Sequence, residues 1–145
     1  LPHNMSDVVV AVAGAQLDRA TRVDAASWRA GEALALHGVV PAQQGVRAVQ
    51  DLAVEIEALL GWIAREPVPP LAAIDLAAAC SAVFEGFVLS DLAVPGLNTD
   101  RVDWTPAEVP DSDPGGWTLL AITLEAMLLH MTRPLSSDGA GTPPA

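Results

Sequence analysis

Two segments near the end of this 145-residue chain are apolar on nearly every side. One is LAAIDLAAACSAVFEGFVLSDLAV, residues 71–94, and the other is DPGGWTLLAITLEAMLLHM, residues 113–131. On a helical wheel of about 100° per residue, Asp75, Glu85 and Asp91 of the first fall at roughly 0°, 280° and 160°, so the acids share no solvated face. In the second, Glu125 is the one acid inside the apolar run. A helix that is hydrophobic all round must be covered all round. A domain of this length cannot easily sheath two such helices by itself. The simplest solution sets one side of each against the domain core and the other against a second copy of the chain.

Composition supports a helical reading. The chain is 51% hydrophobic, with four Trp, two Phe and no Tyr. Abundant Ala and scarce aromatics favour close-packed helices over sheets. The formal net charge is −11, there is no Lys, and the seven Arg are scattered rather than clustered. A nucleic-acid surface needs a basic face to displace phosphate counterions, so these residues are not expected to touch DNA directly. An anionic membrane surface is disfavoured on the same ground. No uncharged run reaches the roughly 18 residues of a membrane span, because Asp75, Glu85 and Glu125 interrupt the best candidates. Cys80 is alone and cannot form an internal disulfide, which fits a reducing compartment. With no secretory signal pattern, the expected location is the cytoplasm. The first residue is Leu1 rather than Met, as in a piece of a longer protein.

The pattern predicts an all-α domain of five helices over residues 1–131 and no strand. The first helix spans 5–22, capped by Asn4 or Ser6, with Val8, Val12 and Ala15 on one stripe and Val9, Ala13 and Ala20 on another. The second spans 24–37, between Asp24 as N-cap and Gly38. The third, 41–66, has one clean seam of Val46, Val49, Ala53, Ile56, Leu60 and Ile63 at alternating spacings of three and four. Pro67, Pro69 and Pro70 end it. The fourth helix occupies 71–94. A long polar loop over 95–112 holds Trp104, and Asp113-Pro114 reads as the cap and first turn of the fifth helix. The Ser/Gly/Pro-rich tail, 132–145, is expected to be disordered.

The order and character of these helices resemble the C-terminal effector-binding and dimerisation domain of the TetR family of transcriptional repressors. The resemblance is carried by the middle stretch opening on Trp28-Arg29, by Phe84-Glu85-Gly86-Phe87 with its small-residue run, and by GWTLLAITLEAMLLHM; it covers about residues 8–131. It implies a pocket for a small, mostly apolar effector among the helices, a four-helix dimer interface built by the last two, and no cofactor. The family's DNA-reading helix-turn-helix has no counterpart here, since the residues before Met5 are too few, so any repressor role belongs to a longer parent chain. On this resemblance the pocket is expected to draw on Trp28, Glu32, Val49, Ala53, Ile56, Trp62, Cys80, Phe84 and Phe87. The homodimer contact is expected to use Ala82, Glu85, Gly86, Leu89, Leu120, Ile122, Leu124, Met127 and Leu128. Small residues such as Ala79, Ala82, Gly86 and Ser90 let helix backbones approach closely.

Each candidate also has a plainer reading. Glu32 either orients a ligand at a pocket rim or is a marginal charge reaching water. Glu85 holds a cationic or hydroxylated ligand, bridges to the partner subunit, or is a structural acid at the surface. Phe84, Phe87, Trp28 and Trp62 wall a cavity or simply fill the core. Cys80 has no neighbouring base or cation in sequence to activate it and reads as a small buried hydrophobe rather than a redox sensor. His37 suits a helix C-terminus. The three His are too dispersed for a zinc site. Asp111-Ser112-Asp113 runs into Pro114 where calcium ligands should follow. No nucleophile–base constellation or phosphate loop is present, so an enzyme is not expected. The rival to a ligand sensor is a stand-alone helical dimerisation module without an effector.

Overall fold

The computed structural model describes residues 1–22, 43–97, 100–106 and 117–136. These are mostly helical, with helices α1 (Met5–Arg22), α2 (Gln43–Trp62), α3 (Ala73–Ala93) and α4 (Leu119–Met131). Two short antiparallel ribbons tie them together: β1 (Arg65–Pro67) pairs with β4 (Thr132–Pro134), and β2 (Arg101–Val102) with β3 (Trp117–Thr118). The expected helix over 24–37, with Trp28 and Glu32, lies outside the described residues.

Helix α1 starts where the sequence offers a cap. Asn4 Oδ1 accepts the Asp7 N–H at 3.0 Å, and the Asp7 carboxylate accepts the His3 N–H at 2.7 Å. The first-turn N–H of Asp7 and the His3 N–H just before the helix are thereby satisfied reciprocally. Met5, Val8, Val9 and Val12 are all fully buried.

Helix α2 buries a broader arc than the single predicted seam. Leu52, Ala53, Ile56, Leu59 and Leu60 are buried, and Val49 and Ile63 pack partly against them. Val46 is 52% exposed. It sits about 80° from Ile56 at 100° per residue, at the margin of the buried arc. The helix also stops short of Glu66. The N–H groups of Ile63 and Ala64 bond three residues back, to Leu60 and Gly61, and Ala64 takes a left-handed φ of 52°. Pro67 explains the stop, because it disfavours helical geometry at Glu66 and has no N–H of its own. The chain leaves instead as β1.

Helix α3 begins with Asp75 reaching back to accept the Ala72 N–H at 2.8 Å. Leu76, Ala77, Cys80 and Phe84 form its fully buried stripe. The chain turns out of the helix at Gly96, whose φ of 95° suits glycine and whose α-carbon lies against the Asp100 carboxylate.

Helix α4 begins at Leu119, not near Asp113. Thr118 Oγ1 caps it by accepting the Ala121 N–H at 3.2 Å, while Trp117 and Thr118 pair with β2. Nor does the tail begin at Thr132: Thr132–Pro134 are strand β4, and the Leu135 N–H continues the tie to the Ala64 carbonyl at 2.8 Å. Thr132 is buried; its Oγ1 donates to the Leu128 carbonyl at 2.7 Å and accepts from Arg65 Nε at 3.0 Å. Arg65 Nη2 also donates to the Thr132 carbonyl. This ribbon fixes the end of α2 against the end of α4.

The core is one cluster. Helix α3 packs on α2 and α4, and α1 packs on α4 and α2. Their buried stripes meet around Ile56, Leu76, Phe84, Leu124 and Leu128.

Candidate functional site

The late hairpin of α3 and α4 has two unlike sides. On α3 the buried stripe is narrow, and the opposite face carries Ile74, Ala78, Ala82, Gly86, Leu89 and Ala93, all exposed. Leu89 is 43% exposed, and a Cβ built on Gly86 meets no atom within 4 Å. Residues Ala73–Asp91 are long and apolar enough to cross a membrane by length and hydropathy, yet only 22% of that stretch is buried. Among the described residues one apolar face of this helix is left open, while the rest of it is buried or half-buried.

On α4 the residues expected at a dimer contact divide. Leu120, Leu124 and Leu128 are buried in the chain's own core. Their spacing of four puts them on one stripe, and that stripe faces α1 and α3. They are not open to a partner. Ile122 and Met127 are half-buried against the core, while Leu119 is exposed. On α3, Ala82, Gly86 and Leu89 are exposed and Glu85 is half-buried. The open part of the hairpin thus lies mainly on α3, with Leu119 at the start of α4.

The expected pocket residues also separate. Ala53, Ile56, Cys80 and Phe84 come together, but as members of the packed core, with Val49 and Phe87 partly buried at its edge. Burial raises the Cys80 thiol to about 12, which removes the thiolate that redox or metal chemistry would need. Trp62 is 56% exposed, whereas Phe84 is buried and Phe87 half-buried.

Two hollows among the described residues are open grooves. One, of about 320 Å³, is lined by Ala82, Gly86, Phe87 and Ser90 of α3 together with Leu97, Leu119 and Thr123. The other, of about 490 Å³, lies between α1 and α2 and is lined by Leu1, Pro2, Asp7, Val10, Leu59 and Trp62. Of the expected pocket residues, Phe87 lines the first and Trp62 the second.

A polar feature was legible only in halves. Trp104, from the loop, donates its indole Nε1–H to Glu125 Oε2 at 2.9 Å. Glu125 is 1% exposed, and its Oε1 has no hydrogen-bond partner among the described residues. The sequence marks Glu125 as the lone acid in an apolar run and Trp104 as a large residue in a polar loop, but no local pattern joins them. No group of three or more His, Cys, Asp or Glu that could hold a metal occurs among the described residues. The chain matches no protein-family model, no curated protein and no solved structure.

Proposed function

We propose that this chain is the ligand-sensing and dimerising part of a TetR-like transcriptional regulator in the cytoplasm. The observation that carries the reading is the uncovered apolar face of α3, from Ile74 through Ala82, Gly86 and Leu89 to Ala93. A second copy supplies the cover. Two-fold pairing sets the same patch on both subunits, and small residues at Ala82, Gly86 and Ser90 allow close helix approach. At ~25 cal/mol per Å² of apolar surface, a patch of this kind outweighs several kcal/mol of association cost. Glu85, midway along α3, favours a protein neighbour over lipid, where a carboxylate is costly.

The mechanism is a population shift. A small, mostly apolar effector binds preferentially to one geometry of the dimer and raises its share. In the parent chain, that geometry sets the separation of two DNA-reading modules, which must match about one helical turn of DNA. This segment itself makes no contact with nucleic acid. Sedimentation velocity across a concentration series tests the dimer, and a thermal-shift screen of lipophilic compounds tests the effector. A monomer that persists at high concentration sinks the reading.

The second reading is a stand-alone helical dimerisation module without effector. It is favoured by one observation: Ala53, Ile56, Cys80 and Phe84, expected around a pocket, are packed together in the core. A dimer that no compound stabilises decides for it.

A further inference from the structure

Helices α1 and α2 border an apolar trough on different elements from the open face of α3. The trough, of about 490 Å³, is lined by Leu1, Pro2, Asp7, Val10, Leu59 and Trp62. Three of these are large apolar side chains left open: Leu1 is 88% exposed, Val10 65% and Trp62 56%. Scattered singly, such side chains would need no account, but here they share one groove. Trp62 is the last residue of α2. Just beyond it the chain turns at Ala64 and enters the β1–β4 ribbon. The indole is thus carried on a tied helix end, and Trp is enriched among the anchoring residues of protein interfaces.

The charges beside this trough have one sign. Asp7 lines it, and no Arg or His side chain does. Residues four apart on a helix share a face, so the face of α2 that bears Leu59 continues to Glu55 and Asp51, one and two turns earlier. Asp51 is exposed and Glu55 half-buried. Arg47 lies a further turn away and forms no ion pair with Asp51. On α1, Val10, Ala11 and Gly14 follow Asp7 on one face, and Gly14 is exposed with open space around it. An apolar floor with an acidic margin results.

We propose that this trough docks one amphipathic helix of a protein partner, with apolar side chains against Val10 and Trp62 and Lys or Arg beside Asp7, Glu55 and Asp51. A helix laid into a groove by its apolar face is a recurring mode of recognition, and basic flanks complement the acidic margin. A second copy is a poor occupant. The chain has a net charge of −11 and no Lys, so it would set like charges against like. Anionic lipid is repelled by the same acids. A small molecule in an open groove would keep much of its surface in water, whereas ligand pockets enclose most of theirs. The proposal depends neither on a dimer through α3 nor on an effector.

The test is isothermal titration calorimetry of the full chain with three peptides of about 18 residues, five turns of helix. The first sets Leu on one face and Lys on the other, the second has Glu in place of Lys, and the third shuffles the first so that no apolar face forms. The Lys peptide binds the wild type at least about tenfold more tightly than either of the others. Val10→Lys, and separately Asp51→Lys with Glu55→Lys, each weaken that binding by about tenfold or more. Leu89→Lys, which puts the same charge on the open face of α3, leaves it within about twofold. Equal binding of the Lys and shuffled peptides, or of the Lys and Glu peptides, overturns the site. So does a loss in Leu89→Lys that matches the loss in Val10→Lys, because the contact is then on α3 or is diffuse attraction to an acidic protein. No binding of the Lys peptide overturns it outright. If circular dichroism shows Val10→Lys or the double variant unfolded, Asp51→Lys alone decides, and an undiminished affinity there overturns the site.

Discussion

Trp104 and Glu125, 21 residues apart in the chain, meet in a 2.9 Å hydrogen bond from indole nitrogen to buried carboxylate. The bond fastens the segment just after β2 onto α4, so its loss acts on the ribbon and the helix together. Trp104→Phe keeps most of the ring volume and strips the donor, leaving both carboxylate oxygens without a partner among the described residues. It is expected to lower stability by about 1–3 kcal/mol. Replacing both partners, as in Trp104→Phe with Glu125→Leu, removes the bare carboxylate as well, and this double variant is expected to be more stable than Trp104→Phe alone. Urea unfolding of the three proteins measures this. A double variant less stable than Trp104→Phe would contradict it.

The β1–β4 ribbon contains two polar contacts that differ in burial. Thr132 is buried and its hydroxyl serves both the Leu128 carbonyl and Arg65 Nε. Thr132→Val keeps the shape and loses both bonds, at an expected cost of about 1–2 kcal/mol. The Arg133–Glu66 ion pair, at 2.8 Å, has side chains 48% and 34% exposed. Glu66→Gln is expected to change stability by less than about 0.5 kcal/mol, because exposed pairs are screened and entropically costly. Equal effects in chemical denaturation would mean that the ribbon is not anchored through Thr132.

What the sequence could disclose follows from the range of the interactions. The stripes of Val8, Val9 and Val12, and of Ile56 and Leu60, repeat at helical spacing and were legible because each is written within one element. The end of α2 at Trp62 was not, although Pro67 held the clue: the restriction on Glu66 had to be read together with a strand partner 67 residues away. Thr132–Pro134 looked like the start of a tail because a two-stranded ribbon leaves almost no local pattern in three residues. The late helices read correctly as apolar all round. Yet apolarity cannot say which side faces inward, so Leu120, Leu124 and Leu128 were expected at a partner and lie in the core. The Trp104–Glu125 contact joins a loop to a helix and has no periodicity to betray it.

Gly86 separates subunit stability from dimer formation. A Cβ there meets nothing within 4 Å, and glycine within a helix costs about 0.5–1 kcal/mol relative to alanine. Gly86→Ala should therefore stabilise the subunit by that amount. If a second copy approaches α3 closely at this point, the added methyl weakens the dimer at the same time. Gly14, in α1, has equally open surroundings, so Gly14→Ala should stabilise without changing association. Leu89→Glu should shift the equilibrium toward monomer, by about tenfold or more in dissociation constant, with helicity retained. Sedimentation equilibrium and thermal unfolding of the three variants check these signs. A Leu89→Glu protein that associates like the wild type would place the interface elsewhere.

Cys80 makes stability depend on pH in a window that few other groups share. Its thiol is raised by burial from an ordinary value of 9.0 to about 12. Between these values the unfolded chain releases the thiol proton while the folded chain keeps it. The folded state then binds more protons, so stability falls as pH rises, with a limiting slope of about 1.4 kcal/mol per pH unit. Below about pH 9 the thiol is neutral in both states and the contribution is flat. Lys and Tyr normally titrate in the same window, but this chain has neither, and Arg stays charged throughout it. Urea midpoints measured from pH 8 to 11 should decline above pH 9 in the wild type, and the decline should largely vanish in Cys80→Ala despite that variant's lower starting stability. An equal slope in both proteins would show that another group sets the alkaline limit. Thiol labelling gives a second check: Cys80 should resist alkylation in the native protein and react once urea unfolds it, since the reactive thiolate forms readily only after the core opens.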